Sequence, residues 1–344
     1  MIHLPLPLFL RRLLRLKPRT AWFSHPLLYR LETVQNHPDS PLRLPALEAE
    51  LKRQRIWPRL MKRDAVAADD KALALVHTRS YLRRLEAIVP HDDNIRRLDD
   101  DTVLVRNSLD TARLAAGAVV RAVDYVLAGK ANNAFCAIRP PGHHAESSKS
   151  GSFCLINNIA VGVMHALSRH RLNRIAILDF DIHRGNGTEE IFADEDRVLL
   201  LGMSQNSLYP YNNEASSGSN PHQFNLALPD FTDSATFRRL IKQEWLPRLK
   251  AFKPEMIFLS AGFDGHRDES LGDAKLHEAD YAWLTHKIMQ AAPQCKGKIV
   301  SVLEGGYNAE AMSRSAAAHL YVLTGMGKPP VAVKYEKELK KPTA

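Results

Sequence analysis

Four short apolar runs do most to limit what this 344-residue chain can fold into: "RIAILDF" (174–180), "RVLLLGM" (197–203), "EMIFLSAGF" (255–263) and "KIVSVLEGG" (298–306). Each is continuously apolar instead of alternating, which is the pattern of a strand covered on both faces. Longer amphipathic stretches lie between them. Residues 108–128 open at Ser108, repeat small or branched apolar residues at Ala112, Ala116, Val119, Val123 and Val126, and stop at Gly129, so they read as a helix. Residues 157–170, 234–252 and 308–324 read the same way, the last ending before Gly325, and Pro247 should kink the third. Strands alternating with helices predict an α/β fold with a mostly parallel central sheet. No repeat and no low-complexity linker divides the chain, so a single domain is expected.

In such sheets ligands lie beyond the carboxyl ends of the strands, and there the sequence becomes polar. The first run continues into "DFDIHRGNG", the third into "AGFDGHRDE" and the fourth into "EGGYN"; an earlier extended segment, "NAFCAIRPPGHHAE", ends in tandem histidines. Strand alternation puts Asp179, Asp181 and His183 on one face, with Phe180 and Ile182 on the other. A catalytic zinc takes three protein ligands and keeps one position open. Asp181, His183 and Asp264 would make such a set of oxygen and nitrogen donors. Any one of these acids alone would more often cap a helix or pair with Arg184 or Arg267; the combination points to metal.

Two adjacent histidines, His143 and His144, cannot both be buried without partners for their ring nitrogens. The stiff "RPPG" before them could aim them as proton carriers. Tyr307, after two glycines, could donate its hydroxyl to a developing oxyanion.

The net charge of +9 could suggest nucleic acid, but it sits at the ends. Residues 1–31 hold six Lys/Arg and no acid, and residues 328–344 carry a net +3, which leaves the body neutral. No specific nucleic-acid groove is expected. The opening "MIHLPLPLFLRRLLRLKPR" is too short an apolar stretch for a spanning helix, which needs about 20 residues, so no transmembrane segment is expected. Three scattered cysteines, Cys136, Cys154 and Cys295, argue against disulfides and for a reducing, cytoplasmic setting.

Taken together, "HPDSPLRL" (37–44), "VHTRSYL" (76–82), "RPPGHHA" (139–145), "FCLINNIA" (153–160), "LDFDIHRGNGT" (178–188), "GFD" (262–264) and "LEGGY" (303–307) resemble the histone deacetylase family of the arginase–deacetylase superfamily, in the family's order. "RPPGHHA" and Asn186 look like its class II branch, which includes bacterial members. The resemblance implies an arginase/deacetylase-like fold with long loops at the carboxyl edge of the sheet. It divides the chain into a basic apolar extension (1–18), a catalytic domain (19–326) and a Lys-rich tail (327–344).

By position, the resemblance makes Asp181, His183 and Asp264 the ligands of one Zn²⁺ per chain. His143 and His144 become the catalytic histidines, with Asp179 behind the first and Asn186 behind the second. Tyr307 would polarise the amide carbonyl. Phe153 and Tyr209 would flank an acyl-lysine tunnel, and the backbone of Ser152, where the family usually has glycine, would contact the substrate amide. The family also often holds K⁺, partly through a serine of a Ser-x-His segment; here Gly202 and Ser204 stand in that segment.

Read without gaps, "GFDGHRDESLGD" puts Leu271 at the pocket mouth, where relatives acting on acetylated polyamines carry an acid; a shift of two residues would put Glu269 there. The expected activity is removal of acetyl or acyl groups from lysine in a peptide or protein. The alternatives are deacetylation of an acetylated small amine such as a polyamine, a two-manganese ureohydrolase, and a non-catalytic acyl-lysine reader. Oligomeric state is not encoded in these motifs.

Overall fold

The computed structural model describes residues 19–211 and 220–339; the extension read at 1–18 and the last residues of the Lys-rich tail lie outside them. Eight strands form one sheet: β1 (Thr20–Ser24), β2 (Leu60–Asp64), β3 (Asn133–Cys136), β4 (Ile175–Asp179), β5 (Val198–Gln205), β6 (Gln223–Leu228), β7 (Met256–Ala261) and β8 (Ile299–Leu303). Their order is β2-β1-β3-β8-β7-β4-β5-β6, and every neighbouring pair is parallel. The four runs singled out in the sequence are β4, β5, β7 and β8, and each is buried along its whole length. Burying both faces is what their unbroken apolar character encodes. Each fully buried Ile, Leu or Phe in these strands contributes roughly 1.5–3 kcal/mol relative to an exposed one.

Helices cover the sheet: α1 (Arg43–Arg53), α2 (Ser108–Leu127), α3 (Asn158–Ser168), α4 (Glu278–Ala291), α5 (Ala309–Leu323) and α6 (Pro330–Glu338). Helix α2 packs on α3 and on β1, β3 and β8, while α5 packs between α4 and α1. The cap of α2 is Asn107, not Ser108; the Ser108 hydroxyl instead accepts the Val105 N–H at 2.8 Å. The stretch 234–252 is helical, but its middle, Ile241–Trp245, widens to a π turn in which the Leu246 N–H reaches the Ile241 carbonyl. Pro247 explains the shift, because it lacks an N–H and crowds the carbonyl four residues before it. Within the Lys-rich segment, α6 docks on the domain: Ala332 is buried, and Tyr335 stacks on His277 and meets the Ser234 hydroxyl at 2.9 Å.

Candidate active site

Strands β3, β8, β7 and β4 are adjacent at the centre of the sheet, and the polar clusters follow them directly. Their carboxyl ends therefore deliver the tandem histidines, "EGGY", Asp264 and the Asp-x-Asp-x-His segment to one place, where ligands of such sheets bind. Strand β4 stops at Asp179, so the residues beyond it are not held by sheet pairing. Two local turns hold them instead: Asp179 Oδ1 accepts the Asp181 N–H at 3.2 Å, and Asp181 Oδ1 accepts the His183 N–H at 2.9 Å. Phe180 and Ile182 are buried.

Asp181, His183 and Asp264 converge. His183 Nδ1 lies 3.0 Å from Asp181 Oδ1 and 3.0 Å from Asp264 Oδ2, and the three ligand atoms all fall within 4.8 Å of one another. Both carboxylates are anchored from behind by backbone: Gly305 N–H donates to Asp181 Oδ2 at 2.8 Å, and Ile182 N–H to Asp264 Oδ1 at 3.1 Å. A Cβ at position 305 would stand 2.2 Å from Asp264 Oδ2 and 2.5 Å from Asp181 Oδ2, so only glycine leaves these oxygens free. Two buried carboxylates and one imidazole aimed at one point, with space kept open around them, fit a divalent metal.

The tandem histidines each find a partner. His143 Nδ1 bonds Asp179 Oδ2 at 3.0 Å, and His144 Nδ1 bonds Asn186 Oδ1 at 2.8 Å. The Asn186 amide group donates onward to Glu146 at 3.0 Å, so its oxygen faces His144, which must carry its proton on Nδ1. Burial opposes a charge on His143, but Asp179 and Asp181 outweigh it and push the ring up to about 10. Burial also pushes the Asp179 carboxyl up, and Asp181 adds to that rise while the facing His143 pulls it down. For His144, burial and the neighbouring His143 and His183 act together and hold it well below 6.5, hence neutral.

Above these groups opens a cavity of about 410 Å³ lined by His144, His183, Ser152, Phe153, Tyr209, Leu271 and Tyr307, and also by Pro38, Asp101, Ser207, Leu208, Tyr211, Ser270, Gly272 and Asp273. Tyr209 stands edge-on to His144 at 4.8 Å, and Phe153 edge-on to Tyr307 at 5.5 Å. Burial first, then the charge of Asp181, holds the Tyr307 hydroxyl well above its usual range, so it stays a donor. Ser152 and Phe153 both have positive φ, 38° and 70°, a region that favours glycine. Leu271 is 37% exposed at the cavity wall. Glu269 turns inward, and its Oε2 accepts the N–H groups of Tyr307 at 2.7 Å and Asn308 at 2.9 Å. On β5, Gly202 and Ser204 are buried, and the Ser204 hydroxyl accepts from the Asn225 amide at 2.8 Å.

Several supporting residues carried no assigned role in the sequence. Glu304, fully buried, accepts the Gly142 N–H at 2.7 Å and the His143 N–H at 3.3 Å, which ties the histidine loop to "EGGY". Burial pushes Glu304 up to about 7 against the pull of His143, and the charges of Asp179 and Asp181 add to the rise. Arg43 donates to the Gly306 carbonyl at 2.7 Å and the Glu304 carbonyl at 2.5 Å, and its guanidinium lies 5.0 Å from the Tyr307 ring centre. Buried Asp39 pairs with both Arg43 and Arg139 at 2.8 Å. These residues stand inside "HPDSPLRL", "RPPGHHA" and "LEGGY"; the signal was charge within otherwise apolar motifs.

A model of the histone deacetylase domain matches residues 37–323. Type-2 histone deacetylase 2 of Dictyostelium discoideum is 40% identical over 253 residues, 67% of this chain but 15% of its own length. Histone deacetylase-like amidohydrolase of Pseudomonas aeruginosa is 33% identical over 297 residues, covering 85% of this chain and 76% of its own. A probable deacetylase of Archaeoglobus fulgidus is 36% identical over 286 residues, covering 81% and 79%. The chain thus spans a small part of the Dictyostelium protein and about three quarters of the two prokaryotic ones. The crystal structure of the HDA15 HD domain aligns with a TM-score of 0.83 at 29% identity, over 92% of each chain.

Proposed function

The chain belongs to the histone deacetylase family, and from that premise we propose that it is a zinc-dependent amidohydrolase that removes acetyl groups from the side-chain amine of lysine in peptides or proteins. The observation that carries this reading is the meeting, at one cavity floor, of the Asp181–His183–Asp264 cluster, two oriented histidines and the Tyr307 hydroxyl. When bound by that cluster, a zinc ion supplies a Lewis acid for the amide carbonyl and lowers the pKa of water.

The chain's own groups supply the rest. Asn186 holds the His144 proton on Nδ1, which leaves Nε2 free to take a proton from the attacking water. Protonated His143, kept in place by Asp179, lends positive charge beside the tetrahedral centre. Tyr307 donates to the developing oxyanion, and the proton taken up by His144 passes to the departing amine. Phe153 and Tyr209 give an acyl-lysine stem apolar faces to slide between, and Leu271 offers a substrate ammonium nothing to pair with. No covalent intermediate is required, and Cys136, Cys154 and Cys295 are all buried.

A second reading, an acetylated polyamine as substrate, is favoured by Asp101 and Asp273, whose residues line the same cavity. Steady-state kcat/KM for acetyl-lysine peptides against acetylspermidine tests the choice. Preference for the peptide supports the first reading; preference for the polyamine replaces it with the second; turnover of neither contradicts both. No helix among the described residues is long and apolar enough to cross a membrane. A cytoplasmic location belongs to the same proposal.

A further inference from the structure

A second set of metal-competent side chains lies away from the cavity. Asp124 sits in the last turn of α2, His165 in the last turn of α3, and His170 just beyond that helix. After His170 the chain reverses through Arg171, whose φ of 54° is left-handed, before entering β4. This turn brings the second imidazole back over the helix end. Asp124 Oδ1 lies 2.8 Å from His165 Nε2 and 2.7 Å from His170 Nε2, and the three ligand atoms fall within 4.8 Å of one another. The two rings stand 5.4 Å apart at 73°.

We propose that Asp124, His165 and His170 form a second divalent-metal site, suited to Zn²⁺ and similar borderline ions, that staples α2 to α3. Two imidazole nitrogens and a carboxylate oxygen are a donor set for such ions. Bond lengths of about 2.0–2.2 Å place tetrahedral ligand atoms about 3.3 Å apart. The Asp124 oxygen must therefore draw back from each imidazole nitrogen by only about half an ångström to admit an ion. Helices α2 and α3 pack on each other, which limits how far the ligands can drift. The Asp124 side chain is 51% exposed while the imidazoles are 16% and 29% exposed. Solvent can thus reach the ion and complete its coordination, so the site exchanges metal. Arg121, one turn before Asp124, does not block it, because its guanidinium donates to the Asp64 carbonyl at 3.1 Å.

This cluster precedes the amino end of β4, whereas the deacetylase cluster follows its carboxyl end. Five strand residues at about 3.3 Å each separate the two ends by roughly 16 Å. The second ion is therefore not a partner in a binuclear centre, and its loss leaves hydrolysis intact.

The test is calorimetric titration of the metal-stripped full-length protein with Zn²⁺. Two equivalents should bind to the wild type, one to His165→Ala and one to Asp264→Ala, and none to the double variant. His170→Gln keeps a hydrogen-bonding side chain without the imidazole and should weaken the second equivalent at least tenfold. Filling the second site to a hundredfold excess over Kd should raise Tm by about 3–4 °C in the wild type but not in His165→Ala. With zinc saturating, His165→Ala should hydrolyse substrate as the wild type does. The same number of equivalents in His165→Ala as in the wild type overturns the proposal, whatever the Asp264→Ala count shows of the first site.

Discussion

Replacing Tyr307 with phenylalanine isolates one hydroxyl. The ring is fixed by contacts that do not involve that group. The Tyr307 N–H is held by Glu269 at 2.7 Å, Phe153 stands edge-on to the ring at 5.5 Å, and the Arg43 guanidinium lies 5.0 Å from its centre. The preceding Gly306, with φ of 113° and Met312 Cγ 2.7 Å from where a Cβ would be, sets the turn that presents the ring. All of these survive in Tyr307→Phe, so the variant should keep the wild-type Tm and metal content. What it loses is one preorganised donor to the oxyanion, which typically costs about 2.7–4 kcal/mol, or about 10²–10³ in kcat. The assay is steady-state hydrolysis of an unactivated acetyl-lysine peptide, because an activated ester or amide has a weaker need for the donor. Near-normal kcat would refute the assigned role. A large loss of kcat together with lost metal would show instead that the hydroxyl supports the site's structure.

Other outcomes follow from the same geometry. Burial raises the Asp39 carboxyl, but Arg139 and Arg43 outweigh it and hold it below 3.8. Its stabilisation is therefore fully present above about pH 4 and drains as the pH falls through its lower folded value; Asp39→Asn should flatten that acid limb in Tm against pH and cost about 3–5 kcal/mol at pH 7. Leu271→Glu should shift the kcat/KM ratio toward acetylspermidine by about tenfold, a charge-assisted bond discounted for a half-exposed wall; an unchanged ratio would remove Leu271 from the mouth. Ser152→Gly relieves a left-handed residue worth about 1–2 kcal/mol but adds about 0.4–1 kcal/mol of unfolded-chain entropy. Its denaturant midpoint should hold or rise slightly, and a clear fall would contradict the strain argument.

Strands β4, β5, β7 and β8 were legible because they are long apolar runs covered on both faces; β1 and β3 are as fully buried, but "TAWFS" and "NAFC" are short and begin or end on polar residues. The edges of the sheet were not legible. In β2, "LMKRD" alternates buried and exposed residues, and in β6, "QFNLAL" is half-buried, so both read as ordinary amphipathic chain. Alternation rightly separated Asp181 and His183 from Phe180 and Ile182, yet side-chain turns, not strand pairing, maintain it beyond Asp179. The metal-competent trio and both histidine pairs converge because four adjacent strands end together, and that adjacency follows from chain crossovers no local pattern encodes. Asp101 and Asp273 reach the cavity from loops, where position carries no periodic signal. Glu304 and Arg43 illustrate a different limit: a buried charge and a solvated one look alike until their partners are placed.

The proposed role of Asp181, His183 and Asp264 is to hold a zinc ion that hydrolysis needs. Turnover of an acetyl-lysine peptide by metal-stripped protein resupplied with Zn²⁺, wild type beside Asp264→Ala, measures that need. The wild type should be inactive when stripped and recover on zinc addition, and Asp264→Ala should stay inactive at every zinc concentration while remaining folded. Full activity in the stripped wild type, or zinc-restored activity in Asp264→Ala, would mean that hydrolysis does not depend on a zinc ion held by these residues.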